Sequence, residues 1–189
     1  MDNLINEVKE EVLKEINNYK EQAPDHYDFW EEHIKYVYQE ACNLAKKYNA
    51  DNKIVSLGAL LHDIALVKQV GDRKDHHING AIIGREILEK YTSDKELIDR
   101  VVNCIYNHRS SKNATNIEEI CVCDADILAH FDNIPLLFYS GIYRGKLELK
   151  NAKVWVKEKL EKDYDDLSSE TKKEFTDKYN EIMKVIFHE

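Results

Sequence analysis

Ile54-Val55-Ser56-Leu57-Gly58-Ala59-Leu60-Leu61-His62-Asp63-Ile64-Ala65-Leu66-Val67 is the stretch that decides the fold. It is too long for an ordinary strand and contains no proline, so it predicts a helix. Small or apolar residues occupy nearly every face, and such a helix is buried on nearly every face. A buried His-Asp pair must then find partners, because an unpaired buried carboxylate is very costly. Two arrangements satisfy it: a core histidine bonded to its neighbour's carboxylate, or a divalent cation held by both. Imidazole nitrogen and carboxylate oxygen are good ligands for such an ion, whose charge also lowers the carboxylate pKa. Adjacent helix residues differ in direction by about 100°, so both side chains can reach one ion lying beside the helix.

Working outward, the chain reads as mostly helix, since it holds only 2 prolines and 6 glycines and little β-branched alternation. Asp51 is placed to cap the central helix. Before it, Ile5, Val8, Val12, Ile16 and Tyr19 form a helical stripe over residues 3–20, which Ala23-Pro24-Asp25 breaks. A second helix over residues 27–48 carries Trp30, Ile34, Val37, Ala41, Leu44 and Tyr48, with His33 on the edge of that face. After it, Lys68 to Asp75 is a polar loop, and Asp75 is expected to cap a helix running from His76 to Tyr91. Thr92-Ser93-Asp94 ends that helix and caps the next, which reaches His108. A second loop, Arg109 to Asn116, leads to a helix from Ile117 to Phe131 that is apolar around Asp124 and Asp126. Helical segments are expected over 136–143 and 154–164, with a last helix capped by Ser168 or Ser169. The expectation is therefore an all-α fold of one domain over residues 1–189, its C-terminal helices 136–188 packing on the rest.

A length of 189 residues suits one domain with a sizeable core. The formal charge of −9 argues against a nucleic-acid polymer as partner but leaves a small phosphorylated substrate open. The first residues, MDNLINEVKEEVLKEI, lack the basic and apolar regions of a signal peptide, and no run is long enough for a membrane span. Cys42, Cys104, Cys121 and Cys123 are expected as reduced thiols in a cytoplasmic protein, with no membrane association. Cys121-x-Cys123 lacks a second cysteine pair and reads as core packing rather than zinc binding. Without a secretory signal, Asn113-Ala114-Thr115 is discounted as a glycosylation acceptor.

Candidate ligands now sit on or near four buried helical faces: His33; His62 with Asp63; His108; and the Asp124/Asp126 pair. His76 or His77 opens a fifth helix. His76 begins one helix and His108 ends the next, and the two helices are of similar length, so a hairpin brings both histidines to one pole. Each residue alone has a structural explanation, such as a bond to a carbonyl or a helix cap. Their coincidence in one small helical chain favours a metal site.

This constellation resembles the HD-domain superfamily of metal-dependent phosphohydrolases, in particular its small stand-alone bacterial members. The pattern is a histidine, a His-Asp pair about 30 residues later, and a distal aspartate in Ala-Asp-x-Leu. His33, His62-Asp63 and Ala125-Asp126-Ile127-Leu128 fill it over residues 26–132. The resemblance implies Asp126 as metal ligand, with Asp124 behind it as a candidate proton carrier. Some members hold a second metal with His-x-x-x-Gly-Ala and an isolated histidine on the next helix. His76 to Ala81 and His108 match, which implies His76 rather than His77, with Asp63 as catalytic bridging ligand. Two family features are missing. The loop after His108 reads Arg109-Ser110-Ser111-Lys112 where cyclic-dinucleotide phosphodiesterases carry Gly-Tyr-Pro, and Leu66 stands where the nucleotidase branch has a glutamate.

The implied cofactor is one divalent ion, with room for a second: Mn, Fe, Ni, Co, Zn or Mg. The implied reaction is hydrolysis of a phosphomonoester, phosphodiester or phosphoanhydride, with a nucleotide as substrate. Phosphate also needs cations near the ion. Lys68, Arg73 and Lys74 in one loop, and Arg109 and Lys112 in the other, are the expected phosphate-binding residues. The competing expectations are a non-catalytic metal- or nucleotide-binding module, an HD-type di-iron oxygenase, and a purely structural bundle.

Overall fold

A computed structural model describes residues 3–23 and 27–188, and the regular elements among them are all helical. Helix α1 (Asn3–Gln22) buries Leu4, Ile5, Val8, Val12 and Ile16, the expected stripe. Its expected break at Pro24 and Asp25 lies outside the described residues. A π-helical turn (Trp30–Ile34) leads into α2 (Lys35–Tyr48), which ends where Asn49 turns left-handed, φ 53°. Asp51 then caps α3 (Asn52–Leu61) by accepting from the backbone N–H groups of Lys53 and Ile54.

The central run is two helices rather than one. Helix α3 ends at Leu61, and a short α4 (Ile64–Val67) restarts after His62 and Asp63. Asp63 sits at φ −103°, ψ 15°, in the sparsely populated bridge region where active-site residues are often found. Burial is as the sequence required. Ile54, Val55, Leu57, Leu60, Leu61 and Ile64 are all at most 2% exposed. Each such side chain contributes about 1.5–3 kcal/mol by leaving water. Around this core helix pack α1, α2, α6 (Lys95–Asn107) and α7 (Ile117–Asp132). Gly58 makes the approach possible, since a Cβ there would lie 2.9 Å from Cys104 Cβ and 3.1 Å from a Val122 methyl.

Helix α5 (His76–Leu88) pairs with α6 as the expected hairpin. Asp94 caps α6 through the Leu97 N–H, but Asp75 does not cap α5. That residue belongs to a 3-10 turn (Arg73–Asp75), and its φ of −107° does not present the carboxylate to the helix start. Asn116 caps α7 through the Glu119 N–H. Helix α8 (Ile134–Tyr139) continues into a second π-helical turn (Ser140–Arg144). Then come α9 (Leu149–Asp166), longer than expected at both ends, and α10 (Ser169–Phe187). Ser168 precedes α10 without capping it, because its hydroxyl is drawn to Asp124 instead. Helix α9 packs on α7, α8 and α10.

Candidate metal centre

The break at His62-Asp63 turns both side chains towards one point. The π-helical turn before α2 brings His33 there, the first turn of α5 brings His76, the end of α6 brings His108, and the middle of α7 brings Asp126. His62 and His108 are at most 1% exposed, and His33 and Asp63 are also buried. Asp63 stands between two histidine pairs. Its Oδ2 lies 3.7 Å from His33 Nε2 and 3.6 Å from His62 Nε2, while its Oδ1 lies 3.4 Å from His76 Nε2 and 3.9 Å from His108 Nε2. Asp126 Oδ1 closes the first pair at 3.0 Å from His33 Nε2 and 3.7 Å from His62 Nε2.

The donor chemistry fits divalent ions. His62 Nδ1 donates to the Ala59 carbonyl at 2.8 Å, His76 Nδ1 to Arg73 at 2.6 Å and His108 Nδ1 to Ile105 at 2.6 Å. Each of those bonds commits Nδ1 as the donor and leaves Nε2 as the atom that can ligate a metal. His76 Nε2 and His108 Nε2 then face each other at 3.0 Å, and His62 Nε2 meets His33 Nε2 at 3.2 Å. The opposed lone pairs of His76 and His108 repel, and a cation between them removes the repulsion. Ligand atoms about 2.0–2.2 Å from a shared ion also lie about 3 Å apart. Among the described residues, three groups could hold an ion: His33, His62 and Asp63; Asp63, His76 and His108; and His33, Asp126 and His130.

Electrostatics agree. Burial pushes the Asp63 carboxyl up, but the imidazoles of His62, His33, His76 and His108 outweigh it and hold the group below its ordinary range. Asp126 is held well below that range against the same desolvation, chiefly by His33 and His130. Burial lowers His76 and His108, which keeps them neutral and ready to ligate. Burial acts the same way on His33, but Asp126 and Asp63 outweigh it and raise that group.

The cluster lies in a cleft of about 520 Å³. Arg73, Lys74 and Arg109 line it, and Arg109 also donates to the Lys74 carbonyl at 2.9 Å. Two expected phosphate binders lie elsewhere. Lys68 turns back to Glu15 on α1 at 2.7 Å, because α4 ends with that residue on the outer side. Lys112 pairs with Asp166 on α9 at 2.7 Å. Asp124, the expected proton carrier, points away from the cluster and accepts from the Ser168 N–H and hydroxyl. Burial raises its pKa. Burial likewise raises the thiols of Cys104, Cys121 and Cys123, which keeps them protonated, and the Cys123 thiol donates to the Asn107 carbonyl at 3.1 Å.

Sequence reasoning passed over the opposite wall of the cleft. His130 stacks on His33 with ring centroids 5.5 Å apart and planes at 10°. Its Nδ1 is 3.0 Å from Asp163, which also holds Lys159. His130 lies one helical turn after Asp126, a spacing that places both on one face and was available as a signal. Arg144 lies over the ring of Tyr27 at 4.4 Å, and both line the cleft together with Trp155 and Lys162.

Comparison with known proteins agrees with this geometry. The family model for the HD domain matches residues 30–130, which include all six clustered residues. The chain is 34% identical over 118 residues to tRNA (cytidine(56)-2'-O)-methyltransferase of Picrophilus torridus, covering 54% of this chain and 32% of that protein. It is 29% identical over 131 residues to Ribonuclease Y of Campylobacter concisus, covering 68% of this chain and 23% of that one. The chain thus spans a third or less of these curated relatives. In fold it is similar to the crystal structure of a HD-superfamily hydrolase from Bacillus thuringiensis, with TM-score 0.66, 23% identity, and 96% and 95% of the two chains covered. With the family pattern matched over more than half its length and the His-Asp cluster assembled where that pattern falls, this chain belongs to the HD-domain superfamily.

Proposed function

We propose that the protein is a metal-dependent phosphohydrolase with a dinuclear centre, acting on a small phosphorylated compound such as a nucleotide. The observation that carries this reading is the position of Asp63, whose two oxygens face two different histidine pairs at the floor of a cationic cleft. Divalent ions bound there supply charge neutralisation at phosphoryl oxygens and acidify water at neutral pH.

The chain's own residues do the rest. His33, His62 and Asp126 define one coordination position, His76 and His108 the other, and Asp63 fixes their separation. The carbonyls of Ala59, Arg73 and Ile105 hold three of the rings in place, so the site is pre-organised. Arg73, Lys74 and Arg109 offer positive charge to phosphate from one side, and Arg144 from the other. Tyr27, Phe29 and Trp155 give the cleft an aromatic wall suited to a base. A cleft of about 520 Å³ falls in the size range of small-molecule sites. Together with a net charge of −9, it favours a small substrate over a polymer. The RNA-related names of the relatives belong to proteins of which this chain spans only a part, and they do not outweigh that charge and size.

A screen for release of phosphate, pyrophosphate or nucleotide product by metal-loaded protein, against nucleoside mono-, di- and triphosphates, cyclic nucleotides and sugar phosphates, tests the reading. At least one compound should be turned over, and Asp63→Ala should abolish that turnover while helix content stays near the parent's. Turnover retained in Asp63→Ala overturns the reading, and so does the absence of release from every compound.

A further inference from the structure

We propose that the substrate carries a second phosphate, and that a polar pocket beside the cleft binds it. The inference rests on the hydrolase reading. The pocket, of about 660 Å³, is bordered by His77, Asn107, Arg109, Ser110, Asn113 and Lys162. It shares Arg109 and Lys162 with the metal cleft, so the two spaces meet along a common rim that carries the Arg109 guanidinium.

Its chemistry suits an anion. The Arg109 guanidinium, the Asn113 amide and the Ser110 hydroxyl supply donors. Asp166 is the carboxylate in the lining, and Lys112 and Lys162 already neutralise it. The Nδ1 of His77 is buried and has no hydrogen-bond partner among the described residues. A buried polar atom of that kind calls for a ligand or an ordered water. The ring is held by Tyr106, centroids 5.6 Å apart. His77 also sits 5.9 Å, ring to ring, from His76 of the metal cluster. The pocket therefore adjoins the cluster at the His76–His77 step, and a ligand that engages both places its two phosphates on either side of that step. The class indicated is a nucleotide with two phosphates on separate positions of one ribose.

Equilibrium binding to metal-loaded protein tests this, with adenosine 3',5'-bisphosphate, adenosine 3'-monophosphate and adenosine 5'-monophosphate as probes. The parent should bind the bisphosphate at least about tenfold tighter than either monophosphate, the yield of one charge-assisted phosphate contact. Two variants alter the pocket in different ways: His77→Ala removes the orphaned nitrogen, and Asn113→Asp adds a negative charge. Each should bring the ratio to within about twofold, at parental helix and metal content. Where the compounds are turned over, the ratio of kcat/KM is read in the same way. A parent without preference for the bisphosphate overturns the proposal, as does a preference that survives both variants. Inorganic phosphate that perturbs the His77 ring resonances, with no bisphosphate advantage, marks an anion site unconnected to substrate and also overturns it. Absence of hydrolysis would defeat the phosphohydrolase reading alone, because the binding ratios remain measurable.

Discussion

Glu119→Gln replaces one carboxylate oxygen by an amide NH2 with almost no change of shape, and it should loosen one side of the metal centre from a distance. Glu119 is fully buried in the first turn of α7. It accepts from Asn107 Nδ2 at 3.0 Å, the Thr115 N–H at 2.8 Å, the Thr115 hydroxyl at 3.2 Å and Asn116 Nδ2 at 2.7 Å. Glutamine keeps one acceptor oxygen. Its amide nitrogen must face donors on the other side, whichever way the group is flipped. A hydrogen bond to a charged group is worth about 1.5–3 kcal/mol, and an orphaned buried donor costs about 1–3 kcal/mol. These costs overlap, so a loss of about 3 kcal/mol is expected rather than their sum. With a urea slope of about 2 kcal/mol per M, the unfolding midpoint should fall by about 1.5 M. Asn107 immediately precedes His108, so metal affinity should fall by about 10–100-fold, as for other outer-shell changes. Urea titration and metal competition measure both quantities. A variant within about 0.5 kcal/mol of the parent, with unchanged metal affinity, would refute the role given to Glu119.

Further outcomes follow from the two aspartates of α7 and from the pairs that Asp166 makes with Lys112 and Lys162. Asp126→Asn should lose metal and activity, whereas Asp124→Asn should keep both and lower thermal stability through its bonds to Ser168; metal analysis and melting curves of the pair check the assignment. Asp166 is held below its usual pKa by Lys112 and Lys162 against the opposing effect of burial. A depressed folded-state pKa contributes stability above the unfolded value near 3.9 that disappears as pH falls through the folded one. Asp166→Asn should therefore be less stable than the parent at neutral pH, with the gap closing below about pH 4. Equal stability of the two proteins at neutral pH would show that the Asp166 ion pairs contribute nothing to stability. Chelation of bound metal should lower the melting temperature, because an ion bound only by the folded chain stabilises it by mass action. An unchanged melting curve with and without chelator would count against a metal held in the core.

The clustered residues were legible because they lie in strongly patterned sequence. His33, His62-Asp63, His108 and Asp126 each interrupt an apolar helical face, and interruption of a buried face demands a partner. The break between α3 and α4 was not legible, since Ile54 to Val67 is equally apolar before and after the pair, and only tertiary aim at the cluster bends it. Neighbourhood in sequence also failed to fix direction. Lys68 and Lys112 follow the ligands closely, but Glu15 and Asp166 draw them outward. Asp124 is two residues from Asp126, hence on a different face of α7, and meets Ser168 instead of the cleft. The far wall was opaque for a different reason. Arg144, Trp155 and Lys159 take meaning only from how α8 and α9 pack over α7, and no period in the sequence encodes that. His130 alone among the missed residues had a readable cue, its helical spacing from Asp126.

The central claim is that Asp63 joins two histidine pairs around two ions. It is tested most directly by counting metal in protein reconstituted with manganese and desalted, beside a His76→Ala/His108→Ala double variant. Two ions per parent chain are predicted, with magnetic coupling between them through the shared carboxylate, and one uncoupled ion in the double variant. Equal metal content in the two proteins, or a parent that retains no ion, would contradict the claim.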